Sequence, residues 1–109
     1  MNGYEKPIEA TLSIIGGKWK IIILCHLIKG TKRPKELKQL IPEISSKMLR
    51  KQLDELEKDG IVTRHLHGEF PRKVDYSLTD YGYSLESTLN LLTSWGSQCI
   101  DRKNNQLLN

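Results

Sequence analysis

Between Ser45 and Lys51 the chain reads "SSKMLRK", two hydroxyls and three bases with no acid among them. Ser45, Ser46, Lys47, Arg50 and Lys51 thus offer an anion what it needs, hydroxyl donors beside ammonium and guanidinium groups. From Asp54 to Asp59 the sign reverses, with Asp54, Glu55, Glu57 and Asp59 against the single base Lys58. On one helix this order opposes the backbone dipole, which favours acids at the start and bases at the end by about 0.3–1 kcal/mol per charge. Phosphate contacts made by the front half would offset that cost, because they dominate nucleic-acid affinity. Farther along, Arg72 and Lys73 form a second pair of candidate phosphate contacts.

The spacing of the leucines says what would hold these groups in place. Leu49, Leu53 and Leu56 recur at i, i+4, i+7, so Ser45 can cap a helix that Gly60 stops. At 100° per residue, Lys47, Arg50, Lys51, Asp54 and Lys58 lie opposite the leucines and face outward. Upstream, Pro34 can open a shorter helix with Leu37, Leu40 and Ile41 turned inward, and Pro42 ends it. Residues 34–60 therefore read as a helix-turn-helix. "IVTRHL" (61–66) and "KVDYSL" (73–78) read as strands joined by the turn-rich "HGEFPR", a hairpin over 61–78 with Arg72 and Lys73 near its tip. A helix-turn-helix followed directly by a hairpin is a winged helix, whose second helix can present its N-terminal half to a major groove and whose hairpin tip can reach an adjacent backbone or minor groove.

Two flanking helices complete the expectation. Pro7 opens one through Ile8, Leu12 and Ile15, stopped by Gly16 and Gly17. "WKIIILCHLI", from Trp19 to Ile28, is apolar on nearly every side and marks the central buried helix. Thr79 can cap a last helix over 80–100, where Leu85, Leu89, Leu92 and Cys99 keep near-heptad spacing with Trp95 beside them. That stripe is long for packing on one small domain and suggests a partner subunit, the alternative being a single-chain core. The expected fold is mainly α with a small hairpin: one winged helix-turn-helix domain over 1–109, flanked by helices at 7–15 and 80–100.

Composition narrows the function. The net charge of +4 divides as +2 for residues 1–30, +3 for 31–79 and −1 for 80–109, so the excess sits with the helix-turn-helix and hairpin. No apolar run approaches the ~20 residues that span a bilayer, and the polar start lacks a signal-peptide core, so a cytoplasmic protein is expected. Cys25 and Cys99 lie far apart, which favours buried thiols over a structural disulfide.

Other chemistry is weaker. His65 and His67 have the two-residue spacing of metal ligands on a strand, but no convincing further ligand lies nearby in sequence. No Gly-rich phosphate loop, H-E-x-x-H or paired catalytic carboxylates occur, so neither an enzyme nor a bound cofactor is expected. Trp19 and Trp95 either pack in the core or line a cleft for an aromatic effector.

Four stretches resemble the HxlR-type (MarR-like) winged helix-turn-helix regulators of bacteria and archaea: "PIEATLSIIGGKWK" (7–20), "PKELKQLIPEISSKMLRKQLDELEKDGIV" (34–62), "TRHL" (63–66) and "VDYSLTDYG" (74–82). The resemblance implies a homodimeric transcriptional regulator, joined through its first and last helices, so that 7–15 and 80–100 would be the dimerisation helices here. It would bind a pseudo-palindromic site on double-stranded DNA as a repressor or local regulator. Thiol-sensing members carry a cysteine directly before the "P-[IV]-E" step, where this chain has Lys6, so their sensing chemistry does not carry over. The family often has an aromatic where Pro34 stands. A protein-interaction adaptor is the rival class for the same fold. The acid-free front of the helix argues against it.

Overall fold

The computed structural model describes residues 6–108, the side chain of residue 108 excepted, so residues 1–5 and 109 of the expected domain lie outside the described residues. In chain order the elements are α1 (Pro7–Ile15), α2 (Lys20–Leu27), α3 (Pro34–Leu40), α4 (Ser46–Lys58), β1 (Val62–His67), β2 (Lys73–Leu78), α5 (Asp80–Tyr83) and α6 (Glu86–Leu108). The fold is the expected mainly helical winged helix-turn-helix with a two-stranded antiparallel hairpin.

Local chemistry explains the boundaries. Pro7 and Pro34 each occupy a first-turn position, where the missing N–H costs nothing. The Arg33 backbone N–H also donates to Glu36 Oε1 at 2.8 Å, fixing the start of α3. At α4, Ser45 Oγ accepts from the Met48 N–H at 3.0 Å, satisfying one orphan donor of the first turn. Gly60, at φ +76°, turns the chain out of α4 in a conformation that L side chains rarely adopt. The core beneath is built from Ile23, Leu24 and Leu27 of α2, Leu37 of α3, and Leu49, Leu53 and Leu56 of α4.

The hairpin runs in the register Val62↔Leu78 to His67↔Lys73, so β1 lies one residue later than its sequence pattern indicates. Lys32 adds an isolated antiparallel bridge to Tyr76, with N···O distances of 3.0 and 2.8 Å. This pairing ties the start of α3 to the sheet. Thr79 is the joint between α4, hairpin and α5. Its hydroxyl donates to Gly60 O at 2.7 Å and accepts from the Gly82 N–H at 3.0 Å, while its own N–H donates to Ile61 O at 3.0 Å.

The last helix departs from expectation. Instead of one helix from Asp80, a single capped turn, α5, precedes α6. Gly82 is buried against the base of the hairpin, where an added Cβ would lie 2.3 Å from Ile61 O. With that turn fixed in place, the chain redirects through tighter bonds, Ser84 N–H to Tyr81 O at 3.2 Å and Leu85 N–H to Gly82 O at 3.1 Å. α6 then runs 23 residues, roughly 34 Å at the standard rise, well beyond residue 100. Leu85 packs on the core and Leu89 is buried, but among the described residues nothing in α6 after Leu89 is. Leu92 and Trp95 are 46% and 69% exposed, and on α1 Ile8 and Leu12 are 63% and 59% exposed. In the single chain these positions are not core.

Candidate nucleic-acid interface

The front half of α4 stands outward on its leucine seam. Ser45, Ser46, Lys47, Arg50 and Lys51 are all exposed, while Leu49 and Leu53 are buried directly beneath them. The first turn of α4 contains no acid. Bases, hydroxyls and the unpaired N–H groups of a helix start therefore meet on one surface, which suits phosphate oxygens and base edges.

The acids of the second half have separate duties. Glu55 turns toward α2, where its Oε1 lies 2.7 Å from the Lys20 ammonium, a nearly buried group. Hydrogen bonding to Lys20 and its positive charge hold the Glu55 carboxyl below the usual glutamate range, against a smaller upward push from burial. Asp54 stays on the outward face, 3.3 Å from Arg50 Nε one helical turn away. Arg50 is thus oriented by a carboxylate, the one feature of the front surface that is not purely cationic.

Between α3, α4 and the hairpin lies a groove of about 530 Å³. Ser46 and Arg50 line one wall, and Lys35 and Lys38 of α3 line another. Arg64 closes the third side, directly across the hairpin from Tyr76 and on the same face. Sequence reasoning passed over Lys35, Lys38 and Arg64. The signals were present, since Lys35 and Lys38 sit three apart on one face of a helix and Arg64 alternates in register with Leu66.

Arg72 and Lys73 do not join this patch. Both are exposed, but Lys73 pairs with His67 at the far end of the ladder from α4. The strand residues 74–78, roughly 17 Å, separate Lys73 from the joint at Thr79. Phe70, in the turn beside them, is 98% exposed.

Both histidines are engaged within the hairpin. His65 Nε2 lies 2.8 Å from Ser77 Oγ, and His67 Nε2 lies 2.8 Å from Asp75 Oδ2. Asp75 is a neighbour that the sequence separation concealed. Trp19 packs partly against the core with Lys18 Nζ 4.6 Å from its ring centroid, Trp95 is exposed, and neither lines the α4 groove or the smaller cavity between Ile14 and Leu85. Cys25 and Cys99 are free thiols, and both are half-buried instead of fully enclosed.

Known proteins share this arrangement. Residues 14–104 match the HxlR-like helix-turn-helix family. The HTH-type transcriptional regulator YtcD of Bacillus subtilis is 52% identical over 99 residues, which cover 91% of this chain and 79% of that protein. Its solved structure superposes with a TM-score of 0.83 over 88% of this chain and 98% of the other. The redox regulator HypR in its reduced form is 44% identical, with a TM-score of 0.86 over 92% and 99%. A MarR-family regulator of Enterococcus faecalis V583 is 37% identical, with a TM-score of 0.76 over 96% and 99%. Built on the same winged helix and sharing about half its residues with such regulators, the chain belongs to the HxlR-like helix-turn-helix family of DNA-binding transcriptional regulators, which are not enzymes.

Proposed function

We propose that the chain acts as a homodimer that reads a pseudo-palindromic site on double-stranded DNA and represses transcription there. The observation that supports this reading is the acid-free first turn of α4, whose Ser46 and Lys47 are exposed above the buried Leu49. Arg50 reads a base edge, with Asp54 setting its direction. Lys47 and Lys51 take phosphates, as do the Ser45 and Ser46 hydroxyls, and Arg72 and Lys73 reach the neighbouring backbone or minor groove. The unit is one domain over 1–109, in which 34–60 and 61–78 bind DNA.

The dimer follows from α1 and α6. Ile8 and Leu12 of α1 and Leu92 and Trp95 of α6 are exposed apolar side chains that a second copy would bury. Twofold symmetry then places two α4 helices in successive major grooves about 34 Å apart. Repression is the simplest outcome of a dimer occupying a promoter, and it places the protein in the cytoplasm with the chromosome.

Selection of bound duplexes from a random pool at physiological salt tests the proposal. It predicts an enriched palindrome with half-sites one helical turn apart. Weak, salt-sensitive binding with no enrichment would refute it.

A further inference from the structure

The turn at the far end of the hairpin holds a side chain that neither the core nor the front of α4 uses. The ladder ends at the His67↔Lys73 pair, so residues 68–72 form the tip, and all five are exposed. Phe70, the one phenylalanine of the chain, stands there 98% exposed, more than any other large apolar residue described. Isolated apolar residues on a surface are ordinary. A ring this open packs on nothing in the single chain, however, so the fold gains nothing from it.

Its neighbours say what it would meet. Arg72 and Lys73 give residues 68–73 two bases against one acid, Glu69. Back along the hairpin, Arg64 and Val74 line the same groove as Ser46 and Arg50 of α4, and Leu66 lies across from Val74 on that face. The tip thus prolongs the hairpin face that adjoins the front of α4. Arg72 and Lys73 suit backbone phosphates, and an aromatic ring beside them finds apolar surface in a duplex only where two stacked bases part. Phenylalanine and proline both serve as such wedges in minor-groove proteins, and here Pro71 follows Phe70 directly.

We propose that Phe70 is a wedge: with Arg72 and Lys73 on the flanking phosphates, its ring enters the minor groove beside the half-site and partly unstacks one base step. Specificity then arises at positions that α4 never touches, because pyrimidine–purine steps such as TA and CA part at the least cost. The wedge rests on the proposed reach of the hairpin to DNA.

The test uses the full chain and the duplex obtained by selection, with 2-aminopurine replacing adenine at one flanking position at a time. The fluorescence of this base rises when it is unstacked. Expected are a rise at one step outside each half-site and a bend of at least about 20°, read by energy transfer between the duplex ends. Both should be lost in Phe70→Ala and largely kept in Phe70→Leu, which retains an apolar wedge. Phe70→Ala should weaken binding about tenfold, the loss of one buried aromatic side chain. Its salt slope should stay unchanged, because no phosphate contact is removed. A bound duplex with no rise at any flanking position, or a rise that Phe70→Ala leaves intact, would overturn the wedge while sequence reading by α4 stands. A parent chain that enriches no sequence would overturn both.

Discussion

The Lys20 ammonium lies 2.7 Å from the Glu55 carboxylate, joining the start of the buried helix α2 to the middle of α4. Lys20 is 8% exposed, so Glu55 is its counter-charge and also a brace for the helix proposed to face DNA. Glu55 of the second half of α4 thus serves the fold, while Asp54 pairs with Arg50 on the outward face.

Because Lys20 holds the Glu55 carboxyl below the ordinary glutamate range, the pair stabilises the native state above that range and ceases to as pH falls through the lowered value. Thermal denaturation followed from neutral pH to below the ordinary glutamate range should show this loss in the parent chain. Glu55→Gln should lower the melting temperature at neutral pH and show a shallower acid decline. An identical pH profile in the variant would remove the pair from the account.

Gly82 supports a separate expectation. A Cβ there would lie 2.3 Å from the Ile61 carbonyl, a backbone atom that cannot rotate away. Gly82→Ala should cost about 1–3 kcal/mol, the usual range for overpacking, read from the urea midpoint. A variant as stable as the parent would mean that the α5 turn shifts freely.

Arg50 and Lys47 should separate by their effect on DNA. Arg50 and Asp54 are both well exposed, so Arg50→Ala should change stability by less than about 1 kcal/mol. It should relax preference at one base position, whereas Lys47→Ala should weaken all sequences alike and reduce the salt slope by about one. Anisotropy titrations over a range of salt, on matched and mismatched duplexes, distinguish the two. Equal losses with unchanged preference would show that the roles are not divided this way.

The helical assignments were legible because they rest on nearest-neighbour chemistry. Pro7, Pro34, Ser45, Gly60 and Thr79 each mark a boundary by their own backbone or cap preference, and the leucine repeat in α4 fixes its buried side. What escaped depends on contacts distant in sequence. The bridge from Lys32 to Tyr76, the Lys20–Glu55 pair and the packing of Gly82 on Ile61 join segments that periodicity treats separately. The groove belongs to the same class, since Arg64 and Lys35 come together only once hairpin and helices are folded. Trp95 escaped for another reason. Helical spacing alone does not separate a core position from an exposed one, and its 69% exposure places it on the surface of the single chain.

That surface gives a prediction for assembly. Trp95→Glu places a charge where the proposed partner would pack and touches nothing buried in the single chain. Sedimentation should fall from dimer to monomer with the helical circular dichroism retained. A parent chain that is already monomeric at micromolar concentration would contradict the proposed dimer.

The most direct measurement is a dimethyl sulfate footprint on the selected duplex, because the reagent marks guanine N7 in the major groove and adenine N3 in the minor groove. The account predicts guanine protection in two major grooves about one turn apart, lost at the position that Arg50→Ala relaxes, and flanking adenine protection weakened in Arg72→Ala with Lys73→Ala. Protection confined to the minor groove, or a major-groove pattern unchanged by Arg50→Ala, would contradict the claim that the front of α4 reads the sequence.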